Sequence, residues 1–128
     1  MPQQAYPVLV VGPLDPVVWM GNSLERLRGF PKPVRRELGF ALYQAQRGRT
    51  HLQAKALKGF GSGVLEVVSD HRAGTFRAVY TVRFAGKVYV LHVFQKKSRK
   101  GISTPKSEMA MVRQRLRQAI QIHASQES

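Results

Sequence analysis

Hydrophobic spacing divides the chain into segments of period two and segments of period 3.6. The short apolar run Val17-Val18-Trp19-Met20, closed by Gly21-Asn22, predicts a short buried strand. Leu24 and Leu27 then give an apolar side to a helix that ends near Gly29, with Asn22 placed to cap it and Glu25 to reach back as in a capping box. The clearest helix spans 33–47: Val34, Leu38, Ala41, Leu42 and Ala45 recur at helical spacing, Pro33 occupies the tolerated first position, and Gly48 follows the end. Arg35, Arg36 and Gln46 fall on its wet side. Residues 49–63 are polar, basic and punctuated by glycine, and read as an ordered loop with at most a short helical turn over 53–57.

Three period-two segments follow, 64–69, 75–84 and 87–96, joined by turn sequences at 70–74 and 85–86. They predict an antiparallel meander. In the middle strand Phe76, Ala78, Tyr80, Val82 and Phe84 share one face, while Arg77, Thr81 and Arg83 share the other with Val79. The first face reads as core and the second as basic and half open. Thr104 and Pro105 start a last helix whose packing stripe is Met109, Val112, Leu116, Ala119 and Ile120, with Arg113 and Arg117 on its far side. The fold class is α+β: helices packed on one face of a small, mainly antiparallel twisted sheet, with a C-terminal helix. Four of the seven prolines lie in the first sixteen residues, so 1–15 reads as an extended proline-rich arm, 16–122 as a single domain and 123–128 as a tail.

Composition adds one strong constraint. The 128 residues include 21 Lys and Arg against seven Asp and Glu, a formal net charge of +14, on a chain whose hydrophobic content of 43% is that of a folding domain. The partner this charge selects is a polyanion. No cysteine is present, which excludes disulfide scaffolds, thiol catalysis and cysteine-ligated metal centres. The histidines His51, His71 and His123 show no metal-ligand spacing, and the acids are scattered along the chain, so no metal or other cofactor is expected. Neither a signal peptide nor a membrane span is readable, and a cytoplasmic location with no membrane partner is expected.

The charge is concentrated. Residues 71–107 contain no acid and nine Lys or Arg, far more than the one or two lysines that protect a sheet edge from aggregation. A phosphate-binding surface follows. Within it Gln95-Lys96-Lys97-Ser98-Arg99-Lys100 stands at the end of the last strand, where alternation sends Lys96 and Lys97 to opposite sides, so that only one of them serves the open face. Lys55 and Lys58, three apart, share a face if the preceding loop makes a helical turn. The glycine-rich run 58–63 matches no nucleotide-binding pattern, because a strand follows it where a helix is required. His92, inside a strand among Val88, Val90 and Phe94, reads as core-packed more readily than as catalytic.

The runs 55–59 (Lys-Ala-Leu-Lys-Gly), 75–83 (Thr-Phe-Arg-Ala-Val-Tyr-Thr-Val-Arg) and 88–100 (Val-Tyr-Val-Leu-His-Val-Phe-Gln-Lys-Lys-Ser-Arg-Lys), with the closing helix, resemble the RelE/ParE toxin superfamily. The nearest resemblance is to the HigB-like, phage-derived branch of type II toxin–antitoxin systems, over about residues 16–120. The resemblance implies a RelE-like fold and a metal-independent mRNA endoribonuclease that acts on the ribosome, inhibits translation and is held inactive by a cognate helix-turn-helix antitoxin. It places Arg77 and Lys97 at catalytic positions and leaves Lys55, Lys58, Arg83, Lys96, Arg99 and Lys100 to bind RNA. Members with a tyrosine after the basic loop differ from this chain, which has Gly101-Ile-Ser-Thr-Pro105 there and leaves the general base unassigned. A ParE-like gyrase inhibitor and a non-catalytic RNA-binding protein are the alternatives.

Overall fold

The computed structural model describes residues 13–96 and 105–127. In chain order the elements are β1 (Val17–Trp19), α1 (Ser23–Arg28), α2 (Lys32–Gln46), β2 (Ala54–Ala56), β3 (Val64–His71), β4 (Gly74–Thr81), β5 (Val88–Lys96) and α3 (Lys106–Glu127). The α+β class is the one the sequence predicts. The five strands form one sheet in the order β1-β5-β4-β3-β2. The meander β3-β4-β5 and the β2 edge are antiparallel, and β1 runs parallel to β5 at the opposite edge, with Val17 beside Val88.

α2 is the element the periodicity describes most completely: all five residues of its predicted stripe are buried. With Leu27 of α1 they pack on Val67, Phe76, Ala78, Tyr80, Val88, Val90 and Val93, the first face of the sheet. α3 covers part of the second face, where Val112, Leu116 and Ala119 meet Val79, Tyr89, Leu91 and Phe94. Ile120 of its predicted stripe is exposed, because Arg115 turns inward in its place.

Strict alternation fails at one point in β5. Val79 pairs with His92 and Tyr80 with Val90, which leaves Leu91 as an extra residue in a bulge. Leu91 and His92 therefore both reach the α3 side, whereas the flanking Val90 and Val93 reach the α2 side. The grouping of His92 with Val88 and Val90 is corrected accordingly.

Three further expectations change. Residues 54–56 make an edge strand against β3 where a helical turn was expected, so Lys55 and Lys58 do not share a helical face. Asn22 makes no side-chain cap on α1, because its Oδ1 accepts a hydrogen bond from Arg115 at 3.1 Å, and the capping box does not form. α3 continues through Glu127, past the boundary expected at residue 122. At the other end the Asp15 N–H donates to the Gln46 carbonyl at 3.0 Å and the Gln46 side chain donates back to the Asp15 carbonyl at 2.9 Å, tying the entry segment to the end of α2. Most of the predicted proline-rich arm lies outside the described residues.

Candidate active site

α3 leaves uncovered the part of the second face contributed by β2, β3 and the first half of β4. Pleat parity decides which side chains stand there. In β4 Thr75 and Arg77 alternate with the core residues Phe76 and Ala78, and in β3 Glu66, Val68 and Asp70 alternate with Val67 and Ser69. Lys55 of β2 is the cross-strand neighbour of Glu66, and Lys96 of β5 is the cross-strand neighbour of Thr75. A cleft of about 670 Å³ at this end of the sheet is lined by Glu37, Leu52, Gln53, Lys55, Glu66, Val68, Asp70 and Arg77. β2 begins at Ala54, opposite Val67, and the cleft lies beside that start, with Leu52, Gln53 and Glu37 of α2 in its wall.

Arg77 is the centre of this arrangement. Its Nη1 donates to Glu66 Oε2 at 3.0 Å, the two side chains being 19% and 14% exposed, while its Nε is shielded from solvent and has no partner among the described residues. A guanidinium carries five N–H donors, so one carboxylate oxygen leaves most of this fork available to a phosphate. Lys96 is only 4% exposed. Its ammonium is held below the ordinary lysine range, first by loss of solvent and then by the positive charge of Arg77, with Glu66 partly offsetting both. A carboxylate and a guanidinium at the cleft and a buried lysine of lowered basicity beside it thus act on one another on this side of the sheet.

The acids are dispersed in the chain but not in space. Three of the seven, Glu37, Glu66 and Asp70, line the cleft. Asp70 Oδ1 accepts from the Thr75 hydroxyl at 3.1 Å, Glu66 is engaged by Arg77, and among the described residues no group of three or more His, Asp or Glu is placed to hold a metal ion. Glu66 is the functional candidate that sequence reasoning passed over. The available signal was its parity with Val64 and Val68, which puts it on the side of β3 away from α2.

The other expected site residues separate into three groups. Lys55 joins Arg77 at the cleft, and Lys58 is exposed in the loop beyond β2. Arg83 is committed elsewhere: its guanidinium donates to the carbonyls of Phe60 at 2.5 Å and Ser62 at 3.1 Å. It fastens the glycine-rich 58–63 loop, whose Gly63 at φ +79 packs against the Arg83 backbone, with 3.0 Å between a Cβ built there and the Arg83 Cα. Lys97, Arg99 and Lys100 lie outside the described residues. Lys96 stands on the Arg77 face of the sheet.

Under α3 the same sheet face holds a second polar cluster. Arg115, 8% exposed, donates from Nη1 to the Leu91 carbonyl at 3.0 Å and to His92 Nδ1 at 3.0 Å, and from Nη2 to Asn22 Oδ1. An arginine only donates, so His92 Nδ1 is an acceptor and the ring proton sits on Nε2, 2.6 Å from Glu108 Oε1. His92 is therefore neutral, in keeping with burial lowering its pKa despite the opposing pull of Glu108. It stacks on Phe94 with ring centroids 5.1 Å apart. This is the core-packed histidine the sequence favours.

Comparison with known proteins then places the chain. The family described as phage derived protein Gp49-like (DUF891) matches residues 25–117. No curated protein matches the sequence significantly. Among solved structures, a double arginine-to-alanine variant of E. coli toxin RelE in the free state superimposes with a TM-score of 0.54 at 15% identity, over 80% of this chain and 97% of that one. The isolated E. coli RelE toxin gives 0.46 at 17% identity over 77% and 95%, and a RelBE toxin–antitoxin complex of Mycobacterium tuberculosis gives 0.44 at 17% over 65% and 99%. No helix among the described residues is long and apolar enough to cross a membrane. By its matched sequence the chain belongs to the phage derived protein Gp49-like family, and its sheet and helices share the fold of the RelE toxin.

Proposed function

We propose that the chain is the toxin of a type II toxin–antitoxin pair and that it cleaves mRNA at the ribosome without a metal. One observation carries this reading: on the uncovered sheet face Arg77 stands between a carboxylate, Glu66, and a lysine of lowered pKa, Lys96. RNA supplies its own nucleophile. Glu66 accepts the 2′-hydroxyl proton as the 2′-oxygen attacks the adjacent phosphorus, and Arg77 takes up the charge that grows on the phosphorane oxygens. Lys96 gives a proton to the departing 5′-oxygen. The products are a 2′,3′-cyclic phosphate and a 5′-hydroxyl end, with every proton accounted for and no cofactor consumed.

Lys97 keeps the role the resemblance implies for it, and Lys96, which the β4–β5 register sets on the Arg77 face, joins it as the proton donor. Lys55 and Lys58 remain assigned to the RNA backbone, and Arg99 and Lys100 with them, whereas Arg83 supports the loop. Likeness in fold to the RelE toxin, together with a net charge of +14, supports an antitoxin partner of acidic character.

Inducible expression tests the reading. Growth arrest should be accompanied by transcripts cut within reading frames and ending in cyclic phosphate, and Arg77→Ala should abolish both. Arrest with a DNA-damage response and intact transcripts would identify a gyrase poison instead.

A further inference from the structure

α2 turns its second face to solvent with a pattern that packing does not explain. Arg36, Phe40, Tyr43 and Arg47 fall at i, i+4, i+7 and i+11, one straight stripe about 16 Å long. Phe40 is 51% and Tyr43 39% exposed. The Arg47 guanidinium lies over the Tyr43 ring at 5.6 Å, and the His51 ring meets Phe40 edge-on at 5.7 Å. Beside the stripe Phe40, Gln44, Arg49, Thr50, His51 and Leu52 line a cleft of about 250 Å³. Leu52 also lines the Arg77 cleft, so the two hollows meet at one side chain around the sheet edge.

We infer that this stripe is a platform for single-stranded RNA, holding nucleotides that flank the phosphate on Arg77. The inference rests on the nuclease reading for its direction along the strand but makes a separate binding claim. Exposed planar rings interleaved with guanidinium groups suit unpaired bases and their phosphates, since every base offers a π-face and arginine adds charge and stacking. A stacked strand advances about 3.4 Å per phosphate, so the stripe accommodates about four or five nucleotides. The small cleft, with Gln44 amide, Thr50 hydroxyl and Arg49 at its wall, is of the size for one base and offers both donors and acceptors to its edge. A docked amphipathic helix would call for aliphatic anchors, and Leu52 is the single aliphatic side chain in that lining.

The test is fluorescence anisotropy of a labelled unpaired RNA with the full chain carrying Arg77→Ala, which removes cleavage from the measurement. Adding Phe40→Ala and Tyr43→Ala should weaken binding at least about tenfold, given what stacking contributes per base. Tyr43→Phe should retain binding, and urea midpoints should not move. Equal affinity for single-stranded RNA before and after the double substitution overturns the platform. So does a double variant that keeps its RNA affinity and loses only a co-expressed acidic partner protein, which would make the stripe a protein-docking face. Loss of RNA binding in a chain whose parent cuts no transcript would sustain the platform and refute the nuclease reading.

Discussion

Arg77 and Arg115 serve the same face of the same sheet and differ in how many acceptors surround them. Arg115, beneath α3, spends its donors on a backbone carbonyl, a histidine ring and an asparagine amide, and Gly21 makes room for it. Among the described residues Arg77, beyond the end of α3, has one carboxylate partner and an Nε without an acceptor. A cation with several protein acceptors holds elements together. One with spare donors in a cleft is underused by the fold, and under the proposed cleavage that surplus would be completed by a substrate phosphate.

The contrast can be broken by substitution, beginning with the larger effects. Arg77→Ala should lower transcript cleavage by about 10²–10³-fold, as loss of a donor to transition-state charge does. Its ion pair with Glu66 is 19% and 14% exposed and borders a cleft that water can enter, so stability should change by about 1–2 kcal/mol in urea unfolding, less than the loss expected at Arg115. Arg115→Ala should do the reverse: two buried acceptors, the Leu91 carbonyl and His92 Nδ1, lose their donor, a cost of roughly 3 kcal/mol, and cleavage per folded molecule should persist. If either arginine behaved like the other, the division into structural and reactive halves would be wrong.

A smaller effect isolates the seat of Arg115. Gly21 has φ +54, and a Cβ there would lie 2.5 Å from Arg115 Nη2. Gly21→Ala should therefore cost about 1–3 kcal/mol by displacing the guanidinium and straining the turn, read as a shift of the urea midpoint.

The smallest effects are pH dependences with different origins. His92 is held neutral with its pKa below the ordinary 6.5, so the unfolded chain binds more protons than the native one on acidification. Stability should be flat above neutrality and fall as pH drops through the imidazole range, and His92→Gln should flatten that fall. Lys96, also below its ordinary value, sets an alkaline limit on cleavage instead. Lys96→Arg, which cannot lose its proton in the accessible range, should remove the alkaline limb of the rate profile whatever it does to the maximum.

How far the sequence carries depends on whether local spacing and tertiary contacts agree. α2 was fully legible because its stripe follows 3.6 residues per turn from end to end. β5 was legible as a strand but not in its facing, since one extra residue at Leu91 changes parity and moves His92 to the α3 side. β2 was hidden because three residues at an edge carry too little alternation to outweigh a spacing of lysines that also fits a turn. Arg77 emerged from parity and resemblance together. Glu66 did not, because a lone acid in a strand has no meaning until register sets it diagonally across from an arginine. Arg115 was invisible for a similar reason: its partners are 23 to 93 positions away.

That separation also fixes an order of events in synthesis. β1 emerges first but finds its neighbour only when β5 has been made, and Asn22 meets its guanidinium only when α3 follows. Contacts across such intervals are the slow ones, because the intervening chain must be closed up before they stabilise anything. A nascent chain thus carries the Arg77 strand well before it carries the helix that completes the sheet. For a protein proposed to attack ribosomes, the sheet face that carries Arg77 is made before the helix that closes its other half.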